Sequence, residues 1–266
     1  MALPRDTLFA AVMIILNGII GLSLLMGGRR NMVQKFNLEG TTDALCTISL
    51  IVVISMVLPN FVGARTGVYT PVQLGFLALV TLGVYIAFTR FQTVLHRDYF
   101  IMEAAEPDEP HEVPDLKTSL ISLGMLLISL AVIVLSAKGI SPTLEAFLGR
   151  AGAPATVLGI IIAAIVLLPE FGASVRAAQA DRLQTSLNLA LSSAIASIGL
   201  TVPVVAALAL WMGWPVQWGL DGASMILLAL TLYLVALSLR TGYTTRQPGV
   251  LHLALFITYL FFNLVP

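Results

Sequence analysis

Charge is scarce in this sequence. Only 11% of its 266 residues are Asp, Glu, Lys or Arg, while 58% are hydrophobic; soluble domains carry about 25% charged residues. With a mean hydropathy of +0.95, a water-soluble fold could not cover so much apolar surface, so lipid is the expected solvent. A basic excess is also lacking. The 14 Lys and Arg balance 14 Asp and Glu, which excludes the basic stripe of a nucleic-acid-binding protein. A single cysteine, Cys46, rules out an intramolecular disulfide and a multi-cysteine metal site; in its apolar run it reads as a small core hydrophobe. None of the three histidines has a nucleophile or second ligand close in sequence, and there is no P-loop. An enzyme and an ATP-driven pump are therefore unsupported, and no cofactor is expected. The opening apolar segment is too long for a secretory h-region and lacks a cleavage signal.

What remains is hydrophobic run after hydrophobic run. About eight spans emerge: Thr7–Met26, Ala44–Phe61, Pro71–Thr89, Thr118–Ala137, Pro154–Val175, Leu183–Met212, Asp221–Leu239 and Pro248–Val265. A helix needs roughly 17–25 residues to cross a bilayer core, and these runs lack the alternation of a membrane barrel. The expected fold is an all-α polytopic membrane protein. Thr41, Thr42 and Asp43 read as a cap for the second span. Pro71, Pro154 and Pro248 sit near the starts of theirs. Trp211, Trp214 and Trp218 read as an interfacial belt.

Basic residues sort the connections into two sides. Arg5, Arg65, Lys138 and Arg150 fall on the side where the chain begins. Arg29, Arg30, Lys35, Arg90, Arg97, Lys117, Arg176, Arg182, Arg240 and Arg246 fall on the other, which is expected to be cytoplasmic. Both ends of the chain would then lie outside, a first sign that helices precede it. The polar stretch 96–117 carries seven carboxylates, six of them within 103–115, and three prolines. It reads either as a disordered linker or as a weak collector of divalent cations, without EF-hand spacing. It separates residues 1–95, with three spans, from residues 118–266, with five. Spans six to eight echo spans one to three in their small polar interruptions, acidic caps and leading prolines, which suggests inverted repeats.

One carboxylate lies inside a span. Glu170 is the only charged residue between Pro154 and Val175. A buried acid is costly unless protonated, paired or bound to a cation. Pro169 removes one backbone hydrogen bond, freeing the carbonyl of Ile165, and Gly172 weakens the helix beyond. A broken helix offers a hard cation both carboxylate and carbonyl oxygens. In span six, Ser186, Ser193, Ser197 and Thr201 share one face; they either complete a coordination shell or bond their own backbone. Pro203 is expected to kink that span. In span one, Asn17 is either a coordinating amide or a helix–helix hydrogen bond, and Gly18 and Gly21 allow close packing.

Three stretches carry a family resemblance: Ile15–Arg30 (ILNGIIGLSLLMGGRR), Leu167–Val205 (LLPEFGASVRAAQADRLQTSLNLALSSAIASIGLTVPVV) and His252–Leu260 (HLALFITYL). They resemble the bacterial ChaA-type calcium:proton antiporters of the calcium/cation antiporter superfamily. The resemblance implies eleven helices: one leader, then two inverted five-helix repeats joined by a cytoplasmic acidic loop in the bacterial inner membrane. Residues 1–95 would be the last three helices of repeat one, and 118–266 a complete repeat two. Each repeat carries an essential acid, and Glu170 falls on the second. The superfamily's Asn before that acid and His after it are here Leu167 and Phe171. The implied activity is exchange of Ca²⁺, with Na⁺ or K⁺ as further candidates, for H⁺. Glu170 is the main site residue, with Ser193, Ser197 and Asn17 around it, and the partners are the lipid bilayer and inorganic cations. The leader and the first acid would lie upstream of this incomplete inverted-repeat fold. A non-transporting remnant or assembly partner is the alternative reading.

Overall fold

The computed structural model describes residues 2–28, 32–62, 65–100, 115–122, 124–125, 128, 143 and 154–265. Most of the fourth expected span, 118–137, and residues 101–114 of the acidic stretch lie outside the described residues. Helices α1 (Leu3–Gly27), α2 (Leu38–Val62) and α3 (Pro71–Leu95) come first. Then come α4 (Ala155–Val166), α5 (Leu168–Gln179), α6 (Leu183–Met212), α7 (Gly222–Ser238) and α8 (Arg246–Leu264). Among the described residues, five helices are long and apolar enough to cross a membrane, and the bent pair α4–α5 makes a sixth; α7 is apolar but shorter, at 17 residues.

The helix starts follow local chemistry. Pro71 opens α3 behind a capping box, in which Thr70 Oγ1 accepts from Gln73 N–H and Gln73 Oε1 accepts from Thr70 N–H. Asp221 caps α7, accepting from Ser224 N–H at 2.9 Å. The second span starts earlier than expected. Its cap is Asn37, whose side chain accepts from Gly40 N–H at 3.0 Å. Thr41, Thr42 and Asp43 are therefore already helical. Three helices contain π-helical turns, at Ile14–Ile19, Val53–Val57 and Phe91–Leu95. Helix α6 runs uninterrupted through Pro203 for 30 residues and ends at Gly213, whose φ of 66° is left-handed.

Helix α1 is the centre of the bundle: 89% of its most apolar window is buried, against 22–44% in the other long helices. Those present apolar side chains outward, such as Val72, Phe76 and Leu79 on α3 and Ile257, Phe261 and Phe262 on α8, as lipid-facing surfaces require. Cys46, expected in the core, is exposed on α2. Helix α1 packs closely on α8, and α6 on α3. A Cβ on Gly21 would lie 2.9 Å from His252 Cβ on α8, and one on Gly199 of α6 would lie 2.9 Å from Tyr85 Cβ on α3. Only glycine permits either approach.

Connections assigned to the same side do meet. After α1, Gln34–Lys35 pairs antiparallel with Tyr243–Thr244 after α7, and Asn37 N–H donates to Gln184 Oε1 at the start of α6. At the opposite end, Trp218 and Gly219 N–H both donate to Gly67 O, and Arg5 Nη1 donates to Gly219 O. Trp218 is thus enclosed beneath this cap, fully buried, and only Trp211 and Trp214 have the exposure a belt needs.

Candidate functional site

The span expected over Pro154–Val175 is two helices. Helix α4 stops at Val166, Leu167 takes φ −87°, ψ 0°, and α5 leaves at a bend of 55°. Pro169 explains the break: it has no N–H for the carbonyl four residues back, and its ring crowds that carbonyl. As the second residue of α5 it occupies a position where the missing donor costs little. Glu170 follows in the first turn. Gly172 does not break the helix; α5 continues past it, and a Cβ added there would first meet the Arg176 guanidinium, at 3.8 Å.

Helix α5 lies against α6, the C-terminal half of α1 and the π-helical turn that holds Asn17. Glu170 Oε2 is buried with no hydrogen-bond partner among the described residues. Ser174, one turn on and on the same face, is fully buried with its hydroxyl equally unpartnered. Two oxygens in this condition are expensive in a protein interior. They are also the donor type that hard cations take. Ser174 was not singled out in the sequence; its spacing of four from Glu170 was the available signal.

The other expected ligands are placed as follows. Ser193 lies level with Glu170 in the α5–α6 hairpin, both about 15–17 Å from the turn at 180–182 by helical rise. Ser197 is one turn deeper, level with the break. Both are half-buried, and among the described residues neither hydrogen-bonds Glu170. Ser186 instead donates to Ser23 Oγ at 2.8 Å and ties α6 to α1. Thr201 is half-buried. Asn17 is fully buried and bonded between helices: Nδ2 donates to Thr231 Oγ1 on α7 at 2.9 Å, and Oδ1 lies 3.0 Å from His252 Nδ1 on α8. His252, solitary in the sequence, is thus paired, and its Nε2 lies 3.2 Å from Ser238 Oγ. No group of three or more His, Cys, Asp or Glu gathers among the described residues. Any cation held here would rest on one carboxylate plus neutral oxygens.

Comparison with known proteins agrees with this architecture. Residues 1–94 and 121–265 match the sodium/calcium exchanger protein family. The putative ionic transporter y4hA of Sinorhizobium fredii (strain NBRC 101917 / NGR234) is 43% identical over 265 residues, covering 98% of this chain and 72% of its own. The sodium-potassium/proton antiporter ChaA of Escherichia coli (strain K12) is 33% identical over 262 residues, covering 97% of this chain and 71% of its own. The solved structure of the H⁺/Ca²⁺ exchanger CAX superposes with a TM-score of 0.66 at 17% identity, over 98% of this chain and 65% of that one. A multi-pass α-helical membrane protein with a broken span beside a buried acid, matched over nearly its whole length, is a transporter and not an enzyme: the chain belongs to the sodium/calcium exchanger family.

Proposed function

We propose that this chain carries out cation/proton antiport, with Glu170 as the group that holds cation and proton in turn. The observation that carries the reading is Glu170 Oε2, buried at the break between α4 and α5 without a partner among the described residues. Inside a bilayer such an oxygen needs a proton or a cation. Competition between the two for one carboxylate is a sufficient basis for exchange. Ser174 adds a second unpartnered oxygen, and Ser193 and Ser197 are neutral oxygens within the same hairpin. Ca²⁺ is the first candidate, since the fold is shared with a protein named as an H⁺/Ca²⁺ exchanger. Na⁺ and K⁺ are retained because the 33% identical relative is named for them.

The repeat organisation supports the reading. The contact of Gly21 with α8 and that of Gly199 with α3 are what two repeats packed across each other produce. Residues 1–95 and 118–266 are assigned to those repeats, the acidic stretch 96–117 to the cytoplasm, and the protein to the bacterial inner membrane. The test is pH-gradient-driven flux in everted vesicles containing the full-length protein, with Ca²⁺, Na⁺ and K⁺ supplied separately. Glu170→Gln should abolish exchange of every cation the wild type moves. Undiminished flux in that variant would remove Glu170 from the site.

A further inference from the structure

The buried chain Ser238–His252–Asn17–Thr231 joins α7, α8 and α1, and the exchange site just described does not use it. Its donors can be assigned in order. Thr231 Oγ1 lies 2.8 Å from Leu227 O, so its proton goes to that carbonyl and its oxygen accepts from Asn17 Nδ2. Asn17 Oδ1 is then the atom that meets His252 at 3.0 Å. A carbonyl oxygen only accepts, so His252 Nδ1 carries a hydrogen. In the neutral ring Nε2 is therefore bare and accepts from the Ser238 hydroxyl, 3.2 Å away.

The ring is thus held at both nitrogens: His252 is fully buried, and Ser238, half-buried at the end of α7, fixes Nε2 while Nδ1–H holds Asn17. Asn17 sits within the π-helical turn Ile14–Ile19, which lies against α5, the helix that carries Glu170. Turns of this kind recur where helices serve function.

We propose that His252 is a positioning residue of the exchange cycle: Nδ1–H fixes Asn17 and the π-helical turn of α1 against α5, and Ser238 holds the ring at Nε2. The proposal rests on the antiport reading above. On α8 and the helices packed against it, the charged or titratable groups are Arg5 and Asp6 on α1, Tyr233 on α7, and Arg246 and Tyr259 on α8 itself; α4 has none. Arg5 pairs with Asp6 at 2.7 Å, Arg246 donates to Gly28 O, and Tyr259 packs edge-on to Phe9. Tyr233 is exposed. No hydrogen bond joins any of them to the imidazole.

Two substitutions separate the two nitrogens. His252→Asn keeps an amide donor near Nδ1; His252→Gln places its amide near Nε2 and gives up Asn17. In everted vesicles, His252→Asn should keep the maximal rate within about twofold. His252→Gln should lose about tenfold in maximal rate with the cation KM nearly unchanged. Equal maximal rates in the two variants would overturn the proposal. A wild type that moves no cation defeats the antiport reading instead. In that case, or if a variant does not fold, nitrogen NMR of the protein decides. His96→Gln and His111→Gln leave His252 as its only histidine; an Nδ1–H tautomer is expected, and an Nε2–H tautomer refutes the assignment.

Discussion

The tight seating of Gly249 of α8 on the backbone of α1 makes Gly249→Ala a sharp test of the bundle. A Cβ on Gly249 would stand 2.7 Å from Gly21 O and 2.8 Å from Leu25 N. Both are backbone atoms of α1, so no rotamer change relieves the clash and the helices must part. Overpacking of this kind costs about 1–3 kcal/mol. Against it, Ala gains about 0.5–1 kcal/mol over Gly within a helix. The 3.0 Å contact from His252 to Asn17 lies one turn along the same seam, and losing a buried hydrogen bond adds about 1–3 kcal/mol. The net effect is a loss of roughly 1–5 kcal/mol, the sum of those terms. Gly83→Ala is the control. That glycine is also helical, on α3, but a Cβ there meets nothing within 4 Å, so it should be neutral or slightly stabilising. Thermal melts in lipid or detergent should place Gly249→Ala clearly below wild type and Gly83→Ala at or above it. Gly249→Ala melting together with Gly83→Ala would refute the close packing of α1 on α8.

Two loop residues give further tests. Burial would raise the Asp221 carboxyl, but hydrogen bonds from the Ser224 N–H and hydroxyl outweigh it and hold the group below the usual carboxylate range. Its stabilising effect is thus complete above the unfolded value of about 4 and is lost as pH falls through the lower folded value. Asp221→Asn should keep the cap and flatten that acid limb, while Asp221→Ala should cost about 1 kcal/mol at neutral pH, both read from melts against pH. Tyr69 donates to Ile54 O, at the π-helical turn of α2, at 2.5 Å, and burial pushes its phenol up to about 12; Tyr69→Phe should cost about 1–3 kcal/mol with no change in exchange per folded molecule.

Much of the fold was legible because lipid imposes length and apolarity on each span. Spans one, three, six and eight stand close to where hydropathy put them. The break in span five followed from Pro169 within an apolar run. The second span was misjudged at its start because hydropathy marks where apolar residues begin, whereas a helix begins where its donors are capped. Asn37 caps through Gly40 N–H, and Gly40 is required because Tyr99 O lies 2.5 Å from the position of its missing Cβ. That contact crosses more than fifty residues and leaves no local trace. The aromatic belt failed for Trp218 in a similar way, since burial beneath Gly67 is a tertiary fact.

The site divides along the same line. Glu170 announced itself, because a single charge in an apolar run has no local explanation and asks for a partner. His252 and Asn17 each gave half a signal, and their partners lie 235 residues apart in sequence. Spacing along one helix could show that His252 shares a face with Gly249, Leu255 and Tyr259, all buried, but not what it meets. The pairing becomes visible only when Gly21 and Gly249 draw α1 and α8 together, so the glycines that read as packing are also what create the hydrogen bond. A membrane interior supplies no water to satisfy an isolated amide or imidazole. Each such residue therefore implies another elsewhere in the chain, and an unmatched buried oxygen such as Glu170 Oε2 implies a partner that the described residues do not provide.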